Sequence, residues 1–185
     1  MEKEDALFWS KDNFLSWSDF QADSNPSAFE DASSKIKFHF TWTVDSEMET
    51  GKVYYEIKNI HLSTYFLRHL SWVRRGQNSP NLLKHEQGHF DLAELSRIDI
   101  EEKIQNSFYN KKFLTRGKNE EEQKQFARED SGMMISKELE KWNQYLSQKR
   151  EEYGRNTEFG LNLKSQQEYD TKFDELRKKI SLSEQ

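Results

Sequence analysis

Residues 79–95 of the 185-residue chain read SPNLLKHEQGHFDLAEL, and this stretch predicts how the fold is organised. Ser79 is a typical helix-capping residue, and Pro80 suits the first helical position, where no backbone N–H is needed. Apolar residues then recur at spacings of three and four, the period of an amphipathic helix. The sequence therefore predicts a helix from Pro80 to about Phe108.

This helix carries a His-Glu-x-x-His pattern at His85, Glu86 and His89. Two imidazoles four residues apart lie on one helix face, where both can bind a single ion. Hydrolytic zinc sites accept such nitrogens and keep one position open for water, which Glu86 can reach as a general base. The pattern predicts zinc on His85 and His89; the alternative is a pair of helix histidines without a metal.

The pattern does not supply a third ligand. Beyond His89 the same face continues through Leu92, Ala93 and Ser96, none of which is a strong zinc ligand. Glu138 is the one carboxylate near the inward stripe of a later helix, and we expect it to complete the site.

The remaining histidines and two tyrosines are weaker candidates. His39, His61 and His69 are isolated in the sequence, and an isolated histidine is more often structural than a ligand. Tyr145 and Tyr153 carry hydroxyls that could stabilise an oxyanion, although a core or surface role is more common for tyrosine.

Gly88 lies inside the predicted helix, where glycine costs about 1 kcal/mol relative to alanine. A close approach of the helix to the sheet would explain this glycine. A tolerated surface glycine is the alternative.

The region before this helix alternates between apolar and polar residues, as strands with one buried face do. The clearest strand is Ile36 to Val44, and Val53 to Ile57 repeats its pattern. The polar stretch Asp45 to Lys52 between them predicts a hairpin turn. Five earlier aromatic residues are expected to cover this sheet: Phe8, Trp9, Phe14, Trp17 and Phe20.

Two further helices are predicted after the first. Lys111 to Glu122 is expected to be a connector, and the long helix that follows is expected to end at Gly154 and Gly160. Its inward stripe contains Phe126, Ile135, Leu139, Trp142 and Leu146, and the stripe of a third helix contains Tyr169, Phe173, Leu176 and Ile180. We therefore predict one α+β domain over residues 1–185, with an antiparallel sheet in 1–78 and helices in 79–185.

Composition excludes several classes of function. The net charge is −5, without the basic excess that nucleic-acid binding requires. The absence of cysteine excludes disulfides and zinc–thiolate sites, so a metal must sit on His, Asp or Glu. No run approaches the roughly 20 apolar residues of a membrane-spanning helix. We expect neither a nucleic-acid partner nor a transmembrane segment.

Residues 83–95 resemble the signature of a bacterial family of unknown function, described as predicted secreted zinc-dependent proteases of zincin-like type. Residues 15–20 resemble its early Trp-x-Asp-Phe segment, and residues 71–73 resemble the segment before its metal helix. Together these segments cover most of residues 15–97.

The resemblance implies zinc on His85 and His89, Glu86 as the catalytic base, and a secreted or periplasmic location. The sequence thus predicts a zinc-dependent metallopeptidase that hydrolyses peptide or protein substrates. One alternative is a catalytically impaired envelope module that binds without hydrolysis and retains the zincin-like fold. Another is a zinc hydrolase with a different substrate.

Residues 153–160 depart from the family pattern, which usually reads Tyr-Asp-x-x-Thr-x-His followed by a small residue. Gly154 and Phe159 replace the Asp and the His, whereas Thr157 and Gly160 remain. If the family histidine binds metal or stabilises the oxyanion, Phe159 impairs activity and favours the binding module. Later residues, Gln166, Gln167 and Tyr169, resemble the closing helix of the family.

Overall fold

The computed structural model describes residues 6–183. Within them the strands are β1 (Ala6–Phe8), β2 (Ala32–Ser33), β3 (Ile36–Glu49), β4 (Lys52–Leu67), β5 (Trp72–Val73) and β6 (Lys112–Leu114). The helices are α1 (Pro80–Phe108), α2 (Glu120–Asn156) and α3 (Leu163–Ser183). Short 3-10 turns occur at Trp17–Asp19 and Arg68–Leu70.

The larger sheet is organised around β4, which pairs with β1, β3 and β6. β1 and β6 are antiparallel to β4, with Ala6 opposite Leu67 and Tyr55 opposite Phe113. β2 and β5 form a separate antiparallel pair. An antiparallel sheet with three long helices confirms the predicted α+β class.

The predicted hairpin joins β3 and β4, but its turn is much shorter than the predicted turn over Asp45 to Lys52. Only Thr50 and Gly51 lie between the strands, with φ angles of 50° and 77°. Two consecutive residues with positive φ are typical of the turn that matches the twist of paired strands. The polar residues after Val44 continue the strand, because backbone pairing with β4 holds them although they are exposed.

The first helix has the predicted bounds and cap, since the Ser79 hydroxyl accepts a hydrogen bond from the Leu82 backbone N–H at 3.2 Å. The later boundaries differ from the prediction. The expected connector over Lys111 to Glu122 contains β6 and the start of α2. Helix α2 also continues through Gly154, because the cost of one glycine is small in a helix of 37 residues.

The chain divides into two compact units, and each contains both strand and helix segments. The first comprises the described parts of Met1–His39, Ser63–Arg97 and Leu146–Gln185; the second comprises Phe40–Leu62 and Ile98–Tyr145. Of the described elements, β1 to β5 lie before residue 78 and α1 to α3 after it, and β6 is the one strand that follows residue 78. No helix in residues 6–183 is long and apolar enough to cross a bilayer.

Aromatic rings form much of the core of the first unit. Phe66 of β4 and Phe90 of α1 are fully buried, with ring centroids 6.0 Å apart, and Phe20 packs edge-on against Phe66 at 5.2 Å. Of the early aromatic residues, Phe20 therefore covers the sheet as expected, whereas Phe8 and Phe14 are exposed. Packing of Phe90 on Phe66 fixes the α1 segment that carries the histidines.

Candidate metal centre

The side chains of His85, Glu86 and His89 converge at one place on α1. One potential ligand atom from each lies within 4.8 Å of the others, and no other such group occurs among the described residues. The two imidazole centroids are 4.7 Å apart. His85 and Glu86 are buried and His89 is partly buried, so the group lies largely out of bulk water.

Both imidazoles are neutral near pH 7, the form that binds metals. Burial, with a smaller contribution from the charge of Arg150, lowers the pKa of His85 to about 4, against the raising effect of a hydrogen bond with Gln166. Burial also lowers the pKa of His89 well below its usual value, with smaller contributions from Arg150 and His85.

Thr157 determines which nitrogen of His85 faces the group. Its hydroxyl donates its one proton to the Tyr153 carbonyl at 2.7 Å, so toward His85 Nδ1, at 3.2 Å, it acts as an acceptor. His85 then carries its proton on Nδ1 and presents the Nε2 lone pair. Hydrogen bonds of this kind orient metal-binding histidines in proteins.

Gly88 makes room for Tyr153, not for the sheet as one reading of the sequence predicted. A Cβ atom at Gly88 would lie 2.6 Å from Tyr153 Cζ and closer still to the hydroxyl oxygen, and 3.3 Å from the Phe173 ring. The glycine therefore lets α2 and α3 side chains pack directly against the metal-helix backbone.

Tyr153 fills this space and orients both histidines. Its ring stacks on His85 at 4.7 Å with an interplanar angle of 8°, and lies edge-on to His89 at 4.9 Å. Its hydroxyl accepts a hydrogen bond from Gln166 at 2.8 Å and donates to the His85 carbonyl at 3.1 Å. Because Tyr153 is fully buried, it cannot act as the oxyanion donor considered from the sequence.

Glu86 is a buried carboxylate with few hydrogen bonds. It accepts one from the Ser34 hydroxyl at 2.5 Å. Burial raises the pKa of Glu86 to about 7, against the lowering effects of Ser34 and Arg150. A carboxylate with a pKa near the working pH is suited to general-base catalysis.

Arg150 is the site residue that the sequence reasoning missed. It donates hydrogen bonds to the Ser34 carbonyl at 2.8 Å and to His89 Nδ1 at 3.4 Å. Burial lowers the pKa of its guanidinium, and the charge of Glu86 opposes this effect. Its spacing of three residues from Tyr153 places both on the same face of α2, a signal that was present in the sequence.

The group opens into a cavity of about 370 Å³. Ala32 and Ser34, Leu82 of α1, and Arg150 and Phe159 contribute to its walls. Phe159 has a positive φ of 55°, a strained conformation for a bulky residue that costs about 1–3 kcal/mol.

The expectation that Glu138 is the third ligand is wrong for this structure. Glu138 is not a member of the group, and its carboxylate accepts a hydrogen bond from Lys141 at 2.6 Å, as three-residue spacing on a helix allows. Tyr145 is not among the residues that line the cavity, and it packs edge-on against Trp142.

The other three histidines stay outside the group, as their isolated positions suggested. His39, His61 and His69 are exposed. His61 Nδ1 lies 3.7 Å from the Glu101 carboxylate.

Comparison with known proteins adds no relative: no family model, curated protein or solved structure matches the chain.

Proposed function

We propose that the protein is a zincin-like metallopeptidase that holds zinc on His85 and His89 and uses Glu86 as its general base. The observation that carries the proposal is the meeting of two neutral imidazoles and a carboxyl with a raised pKa at one cavity. Thr157 leaves His85 Nε2 available to a zinc ion, and His89 offers the second imidazole.

Zinc, when bound, would supply Lewis-acid polarisation of the scissile carbonyl. The carboxylate of Glu86 would accept a proton from the attacking water as the oxygen bonds to the carbonyl carbon. It would then deliver that proton to the nitrogen as the C–N bond breaks. Ser34 holds the Glu86 carboxyl through its hydroxyl, and so positions the base.

The edge of β2 favours a peptide over other hydrolysable substrates. The Asp31 carbonyl accepts a hydrogen bond from the Arg74 N–H at 2.7 Å, and Ala32 is the next residue along β2, opposite Val73. Because antiparallel pairs alternate, the backbone N–H and C=O of Ala32 point away from β5. Ala32 lines the cavity, so these groups can pair with an extended peptide.

Elemental analysis and peptide digestion together test the proposal. We expect about one zinc per chain in the purified protein and cleavage of a diverse peptide library. Glu86→Gln should keep zinc and fold but lower kcat by roughly 10² to 10⁴, whereas Glu140→Gln, an exposed acid on α2, should change nothing. If wild type and Glu86→Gln both hold zinc and cleave equally at background, the peptidase proposal fails.

A second candidate is a binding module that retains the fold without catalysis. Two observations favour it: Phe159 lies 6.3 Å from the His85 ring, and Arg150 contacts His89 Nδ1. A metal on His89 Nε2 requires a proton on Nδ1, which would break the Arg150 contact. If Phe159 is the cause of lost catalysis, Phe159→His should raise zinc affinity and the rate of peptide cleavage. If the wild type is inactive and Phe159→His raises neither quantity, Phe159 is not the cause.

The resemblance to secreted zinc-dependent proteases also supports a secreted or periplasmic location as a proposal. Fractionation of the source cells with an antibody against the chain would test it, because a purely cytosolic signal would contradict it.

A further inference from the structure

We propose that the cavity beside His85 and His89 binds the free C-terminal end of a peptide, with the carboxylate on Arg150 and a large apolar last side chain against Phe159 and Phe29. The inference rests on the proposed function in taking the ligand to be a peptide. It adds a substrate class, because it predicts preference for peptides with an unblocked C-terminus.

The guanidinium of Arg150 has donors to spare. Of its five N–H groups, one bonds to the Ser34 carbonyl and one makes the long contact to His89. No carboxylate in the described part of the chain forms an ion pair with it, whereas Arg74 and Arg177 each pair with an aspartate. A planar guanidinium with free donors matches the two oxygens of a carboxylate.

Of the other charges of the cavity, Glu86 acts on Arg150 without forming an ion pair with it, and the Ser34 hydroxyl holds the Glu86 carboxylate. Asp31 is already paired with Arg74 at 2.9 Å. Glu30 and Glu151 are exposed, where solvent and salt screen their charges, and the exposed Arg155 opposes them. Arg150 is only partly exposed, so its attraction for an anion is screened less.

Phe159 and Phe29 provide the apolar half of the site. Phe159 lines the cavity and keeps its strained backbone although the residue is 41% exposed. Phe29, which is 84% exposed, packs edge-on against Phe159 at the cavity's edge, with ring centroids 6.0 Å apart. Strained residues of this kind cluster at functional sites, and here the strain holds a ring in the wall of the cavity. Leu82 extends the same wall. The occupant that fits this wall and Arg150 together is a carboxylate attached to a large apolar side chain.

Binding of small probes to metal-free protein tests the inference without any catalysis. Calorimetry should give a Kd for N-acetyl-phenylalanine that is roughly tenfold or more below that of its C-terminal amide, because only the acid makes a charge-assisted hydrogen bond. Arg150→Gln should remove this difference and Arg150→Lys should reduce it. Lys149→Met, which removes a charge one residue away on α2 and outside the cavity wall, should preserve it.

A second pair of probes tests the apolar half of the proposed binding site. Phe159→Ala should weaken binding of N-acetyl-phenylalanine but leave binding of N-acetylglycine unchanged. Equal losses for both probes would overturn the apolar part of the inference. Equal binding of acid and amide to wild-type protein would overturn the carboxylate part, even if an Arg150 variant failed to fold.

Digestion by zinc-loaded protein separates this inference from the proposed function. Two results together would overturn the inference: equal cleavage rates for peptides with free and with amidated C-termini, and an Arg150→Gln variant in which only kcat falls. The peptidase proposal would then stand, and Arg150 would have the role of stabilising the oxyanion. Acid-selective binding without any cleavage would support the inference and count against the peptidase.

Discussion

Glu86 and Asp91 are two buried acids of α1 with opposite surroundings. Asp91 accepts hydrogen bonds from Trp9 at 2.6 Å, Gln87 at 3.0 Å and Arg177 at 2.5 Å. Glu86 accepts one, from the Ser34 hydroxyl, and faces the cavity. Burial raises the pKa of both carboxyls, but only Asp91 has an ion-pair partner.

The difference separates a structural acid from a functional one on the same helix. A buried carboxylate with its partners in place holds segments together, and here Arg177 also binds the backbone carbonyls of Ser10 and Lys11. A buried carboxylate with few partners costs stability, and such groups are typical of functional sites. The comparison therefore predicts that Asp91 variants lose stability and Glu86 variants lose activity.

The largest effect is expected at the histidines that flank Glu86. The double variant His85→Ala, His89→Ala should weaken zinc binding by at least about 100-fold, because it removes both nitrogen ligands. Competition with a zinc-binding dye would measure the affinity, with His61→Ala as the control on an exposed histidine. Unchanged affinity in the double variant would contradict the site.

The second-largest effect is expected on the stability of Asp91 and Glu86 variants. Asp91→Asn should lower the free energy of unfolding by about 3 kcal/mol, because it leaves the Arg177 charge buried without its partner. Glu86→Gln should instead raise it by up to about 3 kcal/mol near pH 7, because the neutral amide avoids the cost of burying the Glu86 charge. Urea unfolding of the metal-free proteins would measure both, and equal losses would remove the distinction.

The pH dependence of stability sharpens the comparison. The pKa of Glu86 is raised from 4.5 to about 7, so the folded protein holds this proton more tightly than the unfolded chain. The resulting stabilisation is fully present below pH 4.5 and is lost as the pH rises through 7. The free energy of unfolding of metal-free wild type should therefore fall relative to Glu86→Gln over this interval, by about 3 kcal/mol at most. A constant difference between the two unfolding curves would show that the pKa is not raised.

The smallest effect compares two glycines beside the site. Gly88→Ala should destabilise the protein by roughly 1–3 kcal/mol and weaken zinc binding, because the new methyl group displaces Tyr153 from both histidines. Gly154→Ala meets only Phe159, at 3.4 Å, and should stabilise α2 by up to about 1 kcal/mol. Thermal unfolding would measure both, and a stabilising Gly88→Ala would contradict the packing described for Tyr153.

The sequence by itself determined α1, its cap and the shared face of His85 and His89. These features depend on spacing within one helix, and the helical repeat turns that spacing directly into geometry. The alternation that begins at Ile36 determined β3 for the same reason. Each of these predictions used residues only a few positions apart.

Only the tertiary structure decided what surrounds the histidines. Arg150, Tyr153 and Thr157 lie more than sixty positions after His85, and their roles depend on which turns of α2 pack beside α1. Periodicity gives the inward face of a long helix but not the part of that face that meets a given neighbour, which is why Glu138 was a wrong choice. Gly88 was ambiguous for the same physical reason, because the atom that needs its space belongs to a distant segment.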